Sequence, residues 1–243
     1  MRGRAAGRWL ALAAAAVSLA ALFARLGSWQ LDRAAENRAV RDRFVAAAQE
    51  PPLHTVPDAA DAALRYRRIE VRGRYVPDRQ FLLDNRLHEG RVGYEVLTPF
   101  RPNRGGPWLL VNRGWVAAGP DRRVLPHVAV DGRERSVPGR LDDYPSIGLR
   151  LGDEDEERPN EAAVQVVVFP TRESLEARLE RPLAPFQLLL DPAEPDGFAR
   201  DWQPGGVSPE RNLTYAAQWF LFAAAAGVGA AAAVYRAVRI VRA

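Results

Sequence analysis

The 243-residue chain has no cysteine and three histidines. It therefore lacks disulfides, thiolate metal sites, iron–sulfur clusters and cysteine nucleophiles. Its 34 basic residues, all Arg, are scattered among 30 acids for a net charge of +4. With Arg gathered in both tails, that balance argues for orientation in a membrane and against nucleic-acid binding.

Residues 1–8 form a tail carrying Arg2, Arg4 and Arg8, and an apolar segment follows over 9–29. At helical rise that segment reaches about 31 Å, enough to span a bilayer once Arg25 snorkels. A cleaved signal peptide is the competing reading. Cutting after Ser18-Leu19-Ala20 would leave a short apolar core and a hydrophobic new terminus, so an uncleaved span is expected. Residues 30–50 continue as an amphipathic stem with Trp29, Arg33, Asn37, Val40, Phe44 and Ala47 at spacings of three and four, ended by Pro51-Pro52.

From residue 64 the period changes to two. Tyr66, Arg68, Glu70, Arg72 and Arg74 alternate with Arg67, Ile69, Val71, Gly73 and Tyr75, a half-buried strand. Further strands are expected over 80–85, 93–100, 107–116, 135–141, 164–169 and 186–190. Turn signals such as His88-Glu89-Gly90 and Asp131-Gly132 separate most of them. Residues 171–179 read as a helix capped by Thr171. Short strands with short turns over 64–190 predict a mainly antiparallel sheet or barrel-like domain. The acidic run 152–159 reads as a solvated loop without the oxygen-ligand spacing of a calcium site. Residues 191–212 form a Pro- and Gly-rich linker.

Residues 213–235 carry no charge and are bounded by Arg211 and by Arg236, Arg239 and Arg242 in the tail 236–243. They make a second span. Its middle is nearly all Ala and Gly. That is either a packing surface for another helix or a reflection of Ala-rich composition, and the partner of such a face, the first span or another protein, stays open. The whole is an α+β membrane protein, two transmembrane helices flanking a β-rich extracytoplasmic domain. Arg at the outer end of each span places both termini in the cytoplasm, and a tail too short for a transit peptide favours a bacterial plasma membrane.

No reaction centre emerges. His54, His88 and His127 are isolated, no nucleophile elbow, phosphate loop or dinucleotide fingerprint is present, and Asp142 and Asp143 point to opposite faces of a strand. A membrane-anchored hydrolase would rest on scattered carboxylates alone. The distinctive features are three aromatic-polar clusters. Trp29, Gln30 and Arg33 stand where the first span leaves the bilayer, where Trp29 suits the interface and Arg33 a lipid phosphate. Arg113 and Trp115 end an apolar strand, where Arg113 either pairs with a carboxylate or binds a partner. Tyr215, Gln218 and Trp219 share one helical face at the start of the second span.

At these clusters the chain resembles the surfeit locus protein 1 family, membrane proteins that assist assembly of cytochrome c oxidase. Gly27, Trp29, Gln30 and Arg33 match its Gly-x-Trp-Gln-x-x-Arg. Tyr66, Arg67, Arg68 and Gly73 match its Tyr-Arg-Arg strand, and Gly93, Tyr94, Val96, Thr98 and Pro99 its Gly-Tyr-x-Val-x-Thr-Pro. The run 111–115 matches Val-Asn-Arg-Gly-Trp, and Tyr215, Ala216, Gln218, Trp219 and Phe220 match Tyr-Ala-x-Gln-Trp-Phe. The resemblance implies a non-enzymatic assembly factor, partnered by the oxidase catalytic subunit, other assembly factors and membrane lipid. It would assist heme a insertion or stabilise that subunit; a heme-free scaffold is the alternative. Partner-binding falls to Trp29, Gln30, Arg33, Arg113 and Trp115. In some members a His before the Tyr-Ala motif is implicated in heme binding. Here Asn212 stands there, a poor iron ligand beside imidazole. A heme-facing cluster would then be Asn212, Tyr215, Gln218 and Trp219, with Tyr215 or no protein group as ligand.

Overall fold

A computed structural model describes residues 2–145, 163–168, 170–205 and 207–242. The acidic run 152–159 lies outside the described residues, as does Phe169 at the end of the strand expected over 164–169. In chain order the elements are α1 (Arg2–Ala46), a 3-10 turn (Ala62–Leu64), β1 (Arg68–Tyr75), β2 (Gln80–His88), β3 (Arg91–Pro102), β4 (Trp108–Ala117), β5 (Glu134–Asp142), β6 (Val164–Val167), α2 (Arg172–Leu179), β7 (Leu183–Leu190) and α3 (Pro209–Arg242). They form two units, a helix pair (Met1–Arg43 with Pro204–Ala243) and a β-domain (Phe44–Gln203).

In the helix pair, the expected first span and stem are one unbroken helix. It starts at Arg2 and ends at Ala46, and a turn over 47–49 precedes Pro51. On α1 a stripe of buried and half-buried positions runs through 6, 9, 13, 16, 20, 23, 27, 30, 34, 37 and 40, with further half-buried positions at 5, 24, 26 and 44. On α3 such positions fall at 209, 212, 216, 219, 223, 226, 230, 233, 237 and 240. Steps of three and four make a 3.5-residue seam, the pattern of two antiparallel helices in coiled-coil packing. Small residues dominate it: Ala6, Ala13, Ala34, Ala216, Ala230, Ala233 and Ala237 are buried. The Ala-rich face of the second span is thus occupied by α1, which lets the backbones approach closely. Gly227 and Gly229 take no part, since a Cβ at either would meet nothing within 4 Å.

The bulky residues point the other way. Leu10, Leu12, Val17, Leu221 and Val228 are all more than half exposed. With Ala inside and Leu, Val and Phe outside, the pair inverts the usual order of a soluble protein and requires apolar surroundings. Both helices are long and apolar enough to cross a membrane. The architecture is that of an α+β membrane protein.

In the β-domain, β1, β5, β7, β4 and β3 pair in sequence, and β3 returns to β1 through Gly73–Pro102 and Tyr75–Phe100, closing a five-stranded ring. Strands β2 and β6 extend the sheet from β3. The pairings β4–β7 and β2–β6 are parallel and the rest antiparallel, so the sheet is mainly antiparallel. Closure removes free edges from the ring. Gly73 permits it: a Cβ there would run into the Arg101 carbonyl and the Phe100 ring.

Alternation in β1 sends Ile69, Val71 and Tyr75 into the ring, where they meet Phe100, Leu109, Val111, Val137, Leu141, Phe186, Leu188 and Leu190. A second core holds α2 by Leu175 and Leu179 against Phe81, Leu97 and Leu110. As expected, Thr171 caps α2, with Ser174 completing a reciprocal capping box.

Most boundaries shift by a residue or two, β7 begins at Leu183 and not at 186, and two further differences have a local cause. The first strand starts at Arg68, not at 64, because Asp61 caps the 3-10 turn and Tyr66 adopts a left-handed φ of 69° while its N–H donates to the Leu141 carbonyl at 2.7 Å. The β2–β3 hairpin is longer than read. It runs out to Glu89 and Gly90, both at positive φ (49° and 75°), which suits a tight two-residue turn matching strand twist.

A candidate functional site at the Asn212 end of the helix pair

Helix α3 begins earlier than the apolar run suggested. The Ser208 hydroxyl accepts from the Arg211 N–H, Pro209 occupies the first turn and Glu210 complements the helix N-terminus. Asn212 therefore lies inside the helix, on the seam, and is 5% exposed. Its Nδ2 donates to Gln30 Oε1 at 2.8 Å, and its Oδ1 accepts from Asn37 Nδ2 at 3.0 Å. Gln30 and Asn37 stand one heptad apart on α1, so the three amides form one polar layer across the pair. Such layers fix register and direction in coiled coils.

Ala34 lies between Gln30 and Asn37 on the seam, and toward the apolar middle the layer rests on Ala216 and then on an aromatic step. Phe23 stacks on Trp219 at 5.6 Å between ring centroids and meets Phe222 at 5.7 Å. A Cβ on Gly27 would lie 2.9 Å from the Phe220 ring. Beyond the layer, Arg41 reaches Glu210 at 3.3 Å, and within α1 Arg33 pairs with Glu36. Both pairs are exposed and contribute little.

The residues singled out from the sequence separate here. Asn212, Gln30 and Trp219 come together on the seam. Tyr215 is 44% exposed and Gln218 is exposed, both off the seam. The supposed common face of Tyr215, Gln218 and Trp219 is thus split, because the seam runs 212, 216, 219. Trp29 is 55% exposed. Asn37 and Phe23 were missed as members of the site. The signal was present, since both lie on the same 3.5-residue stripe as Gln30.

Arg113 and Trp115 belong to the β-domain and have another task. Arg113 is 2% exposed, so it presents no surface to a partner. Among the described residues it pairs with neutral acceptors and not with a carboxylate: Nε donates to the Asp196 carbonyl at 2.8 Å, and Nη1 to the Val128 carbonyl at 2.8 Å and to Gln80 Oε1 at 3.1 Å. Burial lowers its pKa, yet a guanidinium stays charged. The strand-end motif straps the expected linker onto β4. Phe198 N–H donates to the Arg113 carbonyl (2.7 Å), and Trp115 and Ala199 exchange backbone bonds at 2.8 and 3.1 Å. Gly114, at φ 102°, is required for that approach, because a Cβ would lie 2.6 Å from the Ala199 carbonyl oxygen. The Trp115 indole donates to the Arg86 carbonyl at 2.9 Å and its ring lies 5.1 Å from His88.

The heme a implied by resemblance can be tested against these donors. Both ends of the Asn212 amide are engaged, and its nitrogen has no free lone pair to offer iron. Tyr215 faces away from α1, and no histidine occurs in the helix pair. The seam does not fit an axial ligand set. Among the described residues no group of three His, Asp or Glu gathers that could hold a metal ion.

Fold and site together define a membrane protein with a closed β-barrel domain and two membrane-length helices locked by an amide layer. A family model described as the SURF1 family matches residues 17–224, and the chain belongs to that family. A SURF1-like protein of Mycobacterium bovis is 30% identical over 238 residues, covering 95% of this chain and 85% of its own length. Surfeit locus protein 1 of Takifugu rubripes is 28% identical over 124 residues, 44% of this chain and 50% of its own. The cytochrome oxidase assembly protein SHY1 of Saccharomyces cerevisiae is 28% identical over 120 residues, 45% of this chain and 30% of its own.

Proposed function

We propose that this chain is a non-enzymatic assembly factor for cytochrome c oxidase that acts on the catalytic subunit from within the membrane. Membership of the SURF1 family, with a yeast relative named as a cytochrome oxidase assembly protein, carries the proposal. The geometry favours stabilisation of the subunit over ligation of heme a, because Asn212 spends its amide on Gln30 and Asn37. On this reading the exposed Trp29, Tyr215 and Gln218 beside the locked layer are the partner-facing groups. Arg33 completes the surface at the membrane boundary.

The setting is a bacterial plasma membrane, with both termini cytoplasmic and the β-domain outside. Arg at the far end of each helix supports that orientation, and no acid occurs in 1–31 or 211–243 to oppose it.

Deleting the gene and measuring oxidase activity and heme a content tests the role; normal values of both would overturn it. The visible spectrum of the purified full chain, taken with and without added heme, separates the two versions. A ligated heme a spectrum would restore the insertion role, and its absence supports the heme-free scaffold.

A further inference from the structure

At one point the closure of the β-ring is incomplete. Along β1 the even-numbered residues turn their backbone groups away from β5, since the Glu70 N–H donates to the Leu53 carbonyl at 2.8 Å and the Arg72 carbonyl accepts from the Asn103 N–H at 2.9 Å. Pro138, which has no N–H to give, stands opposite Glu70 on β5, as that phase requires. Both backbone groups of one residue in an antiparallel ladder face the same side. The Glu70 carbonyl and the Arg72 N–H therefore also face away from β5, and among the described residues neither meets a hydrogen-bond partner.

The chain leaves β1 on both sides of this pair. Leu53 bridges to Ile69, and the segment after it turns so that Val56 packs on the ring core. On the other side β3 ends at Pro102 and turns, with the Gly105 N–H donating to the Pro102 carbonyl at 3.3 Å. The two departures open a cavity of about 620 Å³ over Glu70, Val71 and Arg72, lined by apolar Val56 and Pro102 and by charged groups. Of its acids, Glu70 takes the Ser136 hydroxyl at 2.7 Å and Glu134 takes Arg74 at 3.5 Å, which leaves Asp58. Its cations Arg72 and Arg104 pair with no carboxylate among the described residues.

We propose that this cavity binds an extended polypeptide segment of a partner protein, one residue of which stands opposite Val71, donates its N–H to the Glu70 carbonyl and accepts from the Arg72 N–H. An acceptor and a donor two residues apart on one strand edge are the pair that a single residue of an added parallel strand engages. Residues opposite each other in a sheet share a face, so that residue points inward with Val71 and is apolar. Its neighbours point outward with Arg72, where the two free guanidinium groups favour acids. A free carboxylate would use the same cations and leave the backbone pair unmet. The site lies wholly in the β-domain and does not depend on the reading of the helix pair.

The test follows backbone amides of the isotope-labelled full chain in neutral detergent micelles by nuclear magnetic resonance, with the peptide acetyl-Ala-Glu-Val-Glu-Ala-amide as probe. Without peptide the Arg72 amide should exchange with solvent about a hundredfold faster than that of Val71, which pairs with β5. Millimolar peptide should move the Arg72 amide resonance downfield and slow its exchange. The same peptide N-methylated at Val lacks the donor for Glu70 and should bind about tenfold more weakly. Arg72→Gln should weaken binding about fivefold, whereas Arg123→Gln, outside the cavity, should leave it unchanged. An Arg72 amide already protected in the free chain would mean that the gap is filled and would overturn the proposal. So would a resonance that the peptide leaves in place, equal binding of the N-methylated peptide, or the same shifts from free glutamate, which would make the site one for a simple anion.

Discussion

Asn212 and Gln30, 182 residues apart in the chain, share a 2.8 Å hydrogen bond across the helix pair, and Asn37 completes the layer from the other end of the same amide. Asn212→Ala leaves two amides unpaired in a closed seam. A cost of about 1–2 kcal/mol is expected, read as a lower unfolding midpoint of the full chain in detergent. A cycle with Gln30→Ala should show coupling of about 1 kcal/mol. Tyr215→Phe, off the seam, should change stability by less than about 0.5 kcal/mol. An equal loss from Tyr215→Phe would contradict the seam.

Position 230 and position 228 on α3 give a paired comparison. Ala230 is buried against α1 and Val228 is 71% exposed. Ala230→Leu should force the backbones apart and cost about 1–3 kcal/mol, while Val228→Leu should be nearly neutral. Thermal unfolding followed by circular dichroism in micelles distinguishes them, and indifference at both positions would refute the Ala seam.

The strap on β4 depends on Gly114. Gly114→Ala combines a disfavoured φ with a clash against the Ala199 carbonyl, at an expected cost of about 2–3 kcal/mol. Arg200 supplies a local readout, since its guanidinium donates to the carbonyls of Asp191 (2.7 Å) and Glu194 (2.6 Å). Trypsin should cut after Arg200 in the variant well before it does so in the natural chain. Arg113→Lys should expose the same bond, because one ammonium cannot serve the carbonyls of Asp196 and Val128 together.

Tyr75 predicts a pH dependence. Its hydroxyl is buried and has no hydrogen-bond partner among the described residues, and burial raises the phenol's pKa well above the ordinary value of about 10. The nearby Arg113 and Arg135 guanidinium groups offset only part of that. Above about pH 10 the unfolded chain releases a proton that folded Tyr75 retains, so stability is present below that pH and is lost as pH rises toward the folded value. Tyr75→Phe keeps the ring between Phe100 and the guanidinium groups. It should leave stability at pH 7 unchanged or slightly higher and should flatten the alkaline loss. Urea unfolding at pH 7 and pH 11 measures both, and a large loss at pH 7 would mean the hydroxyl has a partner.

Much of the fold was legible because it follows from local periodicity. Alternation around Ile69, Val71 and Tyr75 marked the barrel wall, Thr171 marked α2, and uncharged runs marked the helices. The extent of the β2–β3 hairpin was harder to read, since it depends on two consecutive residues accepting positive φ. Arg113 was ambiguous for another reason. Its type and position suggest a partner, but its acceptors are mostly backbone carbonyls, of Asp196 and Val128, with Gln80 Oε1 beside them, and no side-chain pattern records a backbone acceptor.

The sequence by itself determined two membrane-length helices, a β-rich domain between them and the polar residues at the Asn212 end. The tertiary structure decided which of those residues meet. A stripe can be drawn on either helix through Trp29 and Arg33 or through Gln30 and Ala34, through Tyr215 or through Asn212. Only the fit of one Ala-lined surface into the other selects the phase. That selection turns Asn212 inward to Gln30 and Asn37 and leaves Tyr215 outside.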